Sequence, residues 1–402
     1  MSMETTPRGE RIHIGLFGRM NVGKSSLMNA ITNQNLSIVS SEQGTTTDPV
    51  FKSMEILPLG PVVLMDTPGL DDQSILGLER IKKAQEILKK TDLALLVLDA
   101  RVGITKVEEV LLEKIKKEGI PYILIHHKED LLLPEENVAK RLNLDKNELL
   151  VSSKLGYQIE ELRELMGATI ATKKKGPGLL EGLVRAKDVV FLVVPIDGSA
   201  PKGRLILPQQ HVIRDILDCD AVALVVQVNE VEHMLKMLST PPNLVITDSQ
   251  VFNQVKELIP NTISLTSFSI LFARYKGDFS EAIKGAEFLD QLKDGDQILM
   301  AEGCTHHRQC GDIGTEKLPK WLKEYTKKEL VFTHSSGQEF KSDLEGYALI
   351  IHCGGCMLSE KEMRSRNIDA IERKIPMTNY GMTIAKINGI LDRSLEPFFK
   401  LD

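Results

Sequence analysis

The sequence predicts an α/β protein: a parallel-sheet domain followed by two smaller α/β domains. Three observations carry that expectation. From residue 12 to about 170, apolar strand-like runs alternate with helical patterns. That order builds a parallel sheet covered by helices on both faces. The loop Gly18-Arg-Met-Asn-Val-Gly23-Lys24-Ser25 lies where the first strand gives way to the first helix. A basic, breaker-rich stretch, Lys173-Lys-Lys-Gly-Pro-Gly178, then interrupts the pattern as a linker does, and two further strand-bearing blocks follow it. The expected domains are 1–172, 179–265 and 266–402.

In the first domain the strands fall at Ile12–Phe17, 62–66, Leu93–Asp99 and 122–126, with helical patterns such as 25–32 and 107–117 between them. The second block has two apolar strands, at 189–195 and 221–228. Pro208 stands where a helix can start, and Val212, Ile213, Ile216 and Leu217 then share one helical face. No catalytic constellation lies in this block, so a structural or association role is expected of it. In the third block, strands at 297–302 and Tyr347–His352 run directly into cysteine-bearing segments. If these strands are parallel neighbours, their C-terminal ends bring both segments to one rim, where open α/β sheets place ligands.

Bulk properties narrow the class. At 402 residues the chain is too long for one ordinary core. Apolar residues are 42% and charged residues 26%, a globular composition, and the net charge of −6 argues against a broad nucleic-acid or anionic-membrane surface. No apolar run approaches bilayer-spanning length, and the polar segment 1–11 has no signal-peptide core. Five cysteines in so long a chain do not read as a disulfide framework. The expected setting is a reducing cytoplasm.

The glycine loop has the context of a phosphate-binding loop: backbone amides approach phosphates, and the helix N-terminus adds positive potential. Gly18, Gly23, Ser26 and Asn21 frame the site, Lys24 would reach the β- and γ-phosphates, and Ser25 would ligate magnesium. Asp66-Thr67-Pro68-Gly69 follows a strand, where a second magnesium carboxylate and a γ-phosphate-sensing amide at Gly69 belong. Gly44-Thr-Thr46-Thr-Asp48 lies between them as a switch loop, with Thr46 completing the magnesium shell. Lys128-Glu-Asp130 follows the strand at 122–126, where Asp130 can accept two hydrogen bonds from a guanine edge. Ser152-Ser153-Lys154 is a second base-contacting loop. Four ordered elements at strand ends make this a guanine nucleotide-binding, P-loop GTPase domain, and the stretch resembles the GTPases of the Era and MnmE type. Asn21 matches the asparagine that holds a monovalent cation in potassium-activated relatives. One departure stands out: the usual Asn-Lys-x-Asp motif reads His127-Lys128-Glu129-Asp130. The bracing amide is lost, which predicts weakened nucleotide binding. Residue 70 is Leu, so no water-positioning glutamine follows the Asp-Thr-Pro-Gly motif, and turnover is expected to be slow.

The other chemical pattern is Cys304-Thr-His306, then a gap from 307 to 351, then His352-Cys353-Gly-Gly-Cys356. Thiolates favour zinc, copper(I) or iron–sulfur clusters. Three cysteines and a histidine, His306 or His352, suffice for structural zinc. A 4Fe–4S cluster on the same three cysteines leaves one iron for a histidine, another protein group or an exchangeable ligand. Cys310 is a less favoured fourth ligand, and Cys219 has no partner motif.

A GTPase domain, a featureless middle domain and this cysteine pattern together resemble the FeFe-hydrogenase maturation GTPases over essentially the whole chain. The matching segments include Gly44-Thr-Thr-Thr-Asp-Pro49, Asp66-Thr-Pro-Gly-Leu-Asp-Asp72, Ala200-Pro-Lys-Gly-Arg-Leu-Ile-Leu-Pro208, Cys304-Thr-His-His307 and His352-Cys-Gly-Gly-Cys356. The resemblance implies a GTP/GDP-, magnesium- and potassium-using scaffold that holds a 4Fe–4S cluster on Cys304, Cys353 and Cys356. It implies receipt of a di-iron precursor from radical-SAM maturases, delivery to apo FeFe-hydrogenase, and dimerisation through the middle domain. Neither a nucleic acid nor a membrane is an expected partner. The competing expectations are a potassium-dependent GTPase of RNA modification or ribosome assembly with a zinc module, and a metal carrier whose GTPase part is only a switch.

Overall fold

A computed structural model describes residues 8–32, 50–69, 83–134, 144–171, 178–196, 205–303, 312–337, 340 and 343–399. The expected switch loop with Thr46, Leu70, and the segment holding Cys304, His306 and Cys310 lie outside the described residues. The chain divides into two compact units, Met1–Lys174 and Lys175–Asp402.

The first unit is a six-stranded sheet in the order β2-β3-β1-β4-β5-β6. The strands are β1 (Ile12–Phe17), β2 (Val50–Ile56), β3 (Gly60–Asp66), β4 (Leu93–Asp99), β5 (Tyr122–His127) and β6 (Glu148–Val151). All neighbours are parallel except β2, which runs antiparallel to β3. The parallel core is the one expected from sequence. Every residue of β4 is buried, as a central strand covered on both faces requires. Alternate side chains serve two cores. Leu16, Leu64, Leu95 and Ile125 face one, and Phe17, Met65, Leu96 and Leu124 face the other. Fully burying each such side chain contributes about 1.5–3 kcal/mol.

Helices α1 (Lys24–Thr32), α2 (Lys106–Lys117) and α3 (Ile159–Ala171) are among the helices of this unit, and the described residues include a further helical stretch at 83–88. Glu108 locks the start of α2 by accepting hydrogen bonds from both the backbone N–H and the hydroxyl of Thr105 at 2.9 Å. The same buried carboxylate takes Arg19 Nε at 3.3 Å, tying the helix to the phosphate-binding loop.

The second unit holds two four-stranded sheets. One has the order β10-β9-β7-β8 and is wholly parallel, with β7 at Val189–Val193, β8 at Val222–Val226, β9 at Leu244–Thr247 and β10 at Ser264–Ser267. The other has the order β12-β11-β13-β14, also parallel, with β11 at Gln297–Ala301, β12 at Val331–Ser335, β13 at Tyr347–His352 and β14 at Met377–Asn379. The expected helix behind Pro208 is α4 (Leu207–Asp218), with the proline in its first turn. One apolar core runs from Leu179 to Phe398 through both sheets. β10 crosses the position 265/266 where a domain boundary was expected, and α5 (Phe268–Lys276) continues directly from it.

Candidate functional site

Short elements position the nucleotide site. Gly18 has φ +144°, and a Cβ there would run into the Val97 carbonyl. Only glycine lets the chain leave β1 so close to β4. Lys24 opens α1, is 8% exposed, and donates from Nζ to the carbonyls of Gly18 at 3.0 Å and Arg19 at 2.8 Å. The loop thus holds its own lysine in place. Asn21, Gly23, Lys24, Ser25, Ser26, Asp66, Gly69, His127, Lys128, Asp130, Ser153 and Lys154 all line one open cavity of about 1130 Å³, large enough for a nucleotide. Residues scattered over more than a hundred positions of sequence converge there, as the motif order predicts.

Ser25 Oγ donates to Asp66 Oδ2 at 2.7 Å. Asp66 Oδ1 is buried with no hydrogen-bond partner among the described residues, and burial pushes the Asp66 pKa up, against the Ser25 hydrogen bond and the charges of Lys24 and Lys52. An orphaned carboxylate oxygen beside a serine hydroxyl fits a hard divalent cation, which would partner Oδ1 and favour the ionised form. Ser25 and Asp66 are therefore suited to hold magnesium.

The base-facing loops are cross-tied. Ser152 Oγ donates to Asp130 Oδ1 at 2.7 Å, and Lys154 Nζ lies 3.9 Å from Oδ2. Lys128 has φ +68° and reaches Asp99 Oδ2 at 2.9 Å. Asp99, paired first with Arg101 and then with Lys128, is held well below the usual carboxylate range.

His127 corrects the expectation of a lost brace. Its Nδ1 lies 2.8 Å from the Val22 carbonyl and its Nε2 lies 2.7 Å from Ser153 Oγ. The carbonyl can only accept, so Nδ1 carries the proton and Nε2 accepts from the serine. Burial lowers the His127 pKa, which keeps the ring in this neutral form near pH 7. One imidazole therefore ties the phosphate-binding loop to the second base loop. Gly23 is shaped to it: a Cβ there would run into the ring. His127→Ala removes one buried and one half-buried hydrogen bond, a loss of about 2–3 kcal/mol. GDP affinity is then expected to fall roughly 30- to 150-fold by calorimetry. His127→Asn should stay within about threefold of the parent. Unchanged affinity in the alanine variant would show that the bridge does not support binding.

The cysteine turn lies at the C-terminal rim of the β11–β13 pair. The strands are parallel neighbours with Ala301 opposite His352, so the chain leaving β11 toward Cys304 and the turn leaving β13 share one edge, as expected. Cys353 Sγ accepts backbone N–H groups from Gly303 at 3.1 Å and Gly355 at 3.4 Å. Two amides aimed at one sulfur favour its thiolate, the form that ligates soft metals. A sulfur so held, with Cys356 three residues on in the same turn, fits a soft metal such as zinc or an iron–sulfur cluster. Among the described residues no group of three or more His, Cys, Asp or Glu gathers around one point.

His352 is placed differently from the cysteines. It is fully buried, its Nδ1 is bonded to the Cys353 carbonyl at 2.7 Å, and its Nε2 faces Arg366 Nη1 at 2.8 Å. Burial, then the Arg366 charge, push its pKa down to about 3. Both ring nitrogens are thus engaged in the fold. Arg366 sits on α6 (Glu360–Glu372), whose start is locked by Ser359 and Glu362, and it also donates to the Gly337 carbonyl at 3.0 Å. Nothing in the local sequence marks Arg366, whose partners lie 14 and 29 residues away.

Three family models match the chain in order. They are a 50S ribosome-binding GTPase over residues 13–128, the hydrogen maturase F dimerization domain over 179–277, and the hydrogen maturase F tetramerization domain over 280–397. The chain belongs to the hydrogen maturase F family. The GTPase part of the chain is similar to other GTPases. The tRNA modification GTPase MnmE of Nitrosomonas eutropha is 34% identical over 193 residues, which is 45% of this chain and 42% of that protein. GTPase Der of Campylobacter jejuni is 37% identical over 143 residues, 35% of this chain and 31% of that protein. The chain thus spans less than half the length of these relatives. Among solved structures, an Aquifex aeolicus Era variant bound to GDP.AlF4− is 21% identical, covering 54% of this chain and 92% of that one with a TM-score of 0.35. No helix among the described residues is long and apolar enough to cross a membrane.

Proposed function

We propose that this chain is a GTP-hydrolysing scaffold and carrier in FeFe-hydrogenase maturation. It would hold a 4Fe–4S cluster on Cys304, Cys353 and Cys356, receive a di-iron precursor made by radical-SAM maturases, and deliver it to apo-hydrogenase. The observation that carries this reading is the amide-lined Cys353 turn, set at the sheet rim next to the strand that leads to Cys304, in a chain with the maturase domain order. Its own residues divide the work. Lys24 presents a fixed cation to the phosphates, Asp130 accepts from the base, and His127 keeps the two loops in register. Ser25 and Asp66 would hold magnesium, which neutralises phosphate charge when bound. Asn21, with φ +59° on the cavity wall, would help hold potassium. The cysteines would hold the cluster as a soft anchor for the cargo. His306 remains a candidate ligand, and His352 orders the turn.

The middle domain supports a homodimer. β8 is an edge strand of its sheet, with Val222 and Val225 about half exposed, an apolar edge that another strand can cover. The proposed setting is the cytoplasm, without nucleic-acid or membrane partners.

Anaerobic iron and sulfide analysis of the purified protein tests the reading. One 4Fe–4S cluster per chain is expected, with brown colour. A colourless, zinc-loaded protein would instead favour a potassium-dependent GTPase of RNA modification. GTP, not ATP, should be hydrolysed, and faster in potassium than in sodium by about an order of magnitude, because a bound cation can stand in for an arginine finger. Equal rates in the two salts would remove the role given to Asn21.

A further inference from the structure

A buried lysine from the other family domain reaches the cysteine turn. Lys276 is the last residue of α5, inside the segment matched by the dimerization model, and is 1% exposed. Its Nζ donates to the carbonyls of Leu358 at 2.8 Å, Gly355 at 3.3 Å and Cys356 at 3.3 Å. The turn itself belongs to the segment matched by the tetramerization model. Three carbonyls that only accept call for three N–H donors, which is the ammonium form. The Phe272 ring lies 5.3 Å from Nζ and covers the cation further. Sequence alone gave no sign of this contact, since the partners lie 79 to 82 residues away.

We propose that Lys276 is a positioning residue of the cysteine site: it fixes the Cys353–Leu358 turn and places a permanent positive charge beside the ligand thiolates. The electrostatic half rests on the cluster reading above. The positional half does not. A thiolate-bound iron–sulfur cluster is anionic, and a buried cation next to it favours the reduced, more negative state. The same ammonium makes the cysteine turn depend on the dimerization domain, so that a break between the two domains would loosen the site.

The test uses the full chain with Lys276→Met, which keeps the side-chain stem and removes charge and donors. Lys276→Gln, which keeps a donor and removes the charge, replaces it if the methionine variant does not fold. In apo-protein, hydrogen exchange of the 353–358 segment should run at least about tenfold faster in the methionine variant, because the Gly355 carbonyl that holds the Leu358 amide loses its clamp. In reconstituted protein, the reduction equilibrium followed by electron paramagnetic resonance should shift about tenfold toward the oxidised form in either variant. Exchange at the parent rate overturns the proposal without any metal. Faster exchange with the parent's potential means a merely structural lysine, and that result overturns it too. A parent protein that takes up no iron and sulfide fails the cluster reading instead, and the exchange measurement then decides the role of Lys276 alone.

Discussion

Replacing Cys353 by serine is expected to abolish the cluster, from one per chain to near none, and to abolish activation of apo-hydrogenase with it. The geometry around the Cys353 sulfur motivates this expectation. Its sulfur receives two backbone N–H groups, from Gly303 and Gly355, so it pins the turn against the strand that leads to Cys304 and, in the proposed site, would ligate the cluster as well. A serine oxygen is a hard, shorter donor that soft iron binds poorly. With two thiolates left, the strong-ligand set falls too low for a stable 4Fe–4S centre. Cys356→Ser and Cys304→Ser should behave alike. Cys219→Ser is the comparator. Cys219 follows the end of α4, and burial, then the nearby Asp215, push its thiol up, so it should keep a full cluster and full activation. Iron and sulfide content with a circular-dichroism melt separates loss of ligand from loss of fold. A Cys353→Ser protein with a full cluster and full activation would remove the turn from the functional site.

The parts legible in the sequence were those encoded locally. The glycine loop, the Asp66-Thr-Pro-Gly turn and the Asp130 loop each announce themselves by motif and by the apolar strand before them. β11 and β13 were readable as strand ends running into cysteines, whereas their parallel pairing stood only as a condition until the register showed it. β2 was missed. It is the antiparallel edge, only partly buried, and Lys52, Ser53 and Glu55 break its apolar run. β6, four residues long, offers too short a pattern to register. The His127 brace was misread because a motif comparison scores residue identity, whereas the brace depends on what an imidazole can bridge: a carbonyl 105 residues away and a hydroxyl 26 residues away. Arg366 and Lys276 were invisible for the same reason. A buried cation on a helix end or face is set by tertiary partners, and local sequence treats it as an ordinary solvated charge.

Lys24→Ala is the second large expected effect and the one that decides what the nucleotide site is for. The side chain is buried and already aimed by the Gly18 and Arg19 carbonyls, so the loop delivers a cation to the phosphates with little reorganisation. Removing it should slow GTP hydrolysis by about 10²- to 10³-fold, the usual loss when one preorganised charge-stabilising donor is deleted. It should leave the cluster untouched, because Lys24 and the cysteine turn belong to different compact units. The informative measurement is therefore hydrogenase activation by the cluster-loaded Lys24→Ala protein. If activation falls with hydrolysis, the nucleotide cycle drives delivery, and the chain acts as a GTP-dependent carrier. If activation stays at the parent level while hydrolysis is lost, the GTPase unit is a switch or remnant, and delivery belongs to the cysteine-bearing unit alone. Full hydrolysis in Lys24→Ala would contradict the site itself, because no other cation among the cavity-lining residues is held by the carbonyls of the phosphate-binding loop.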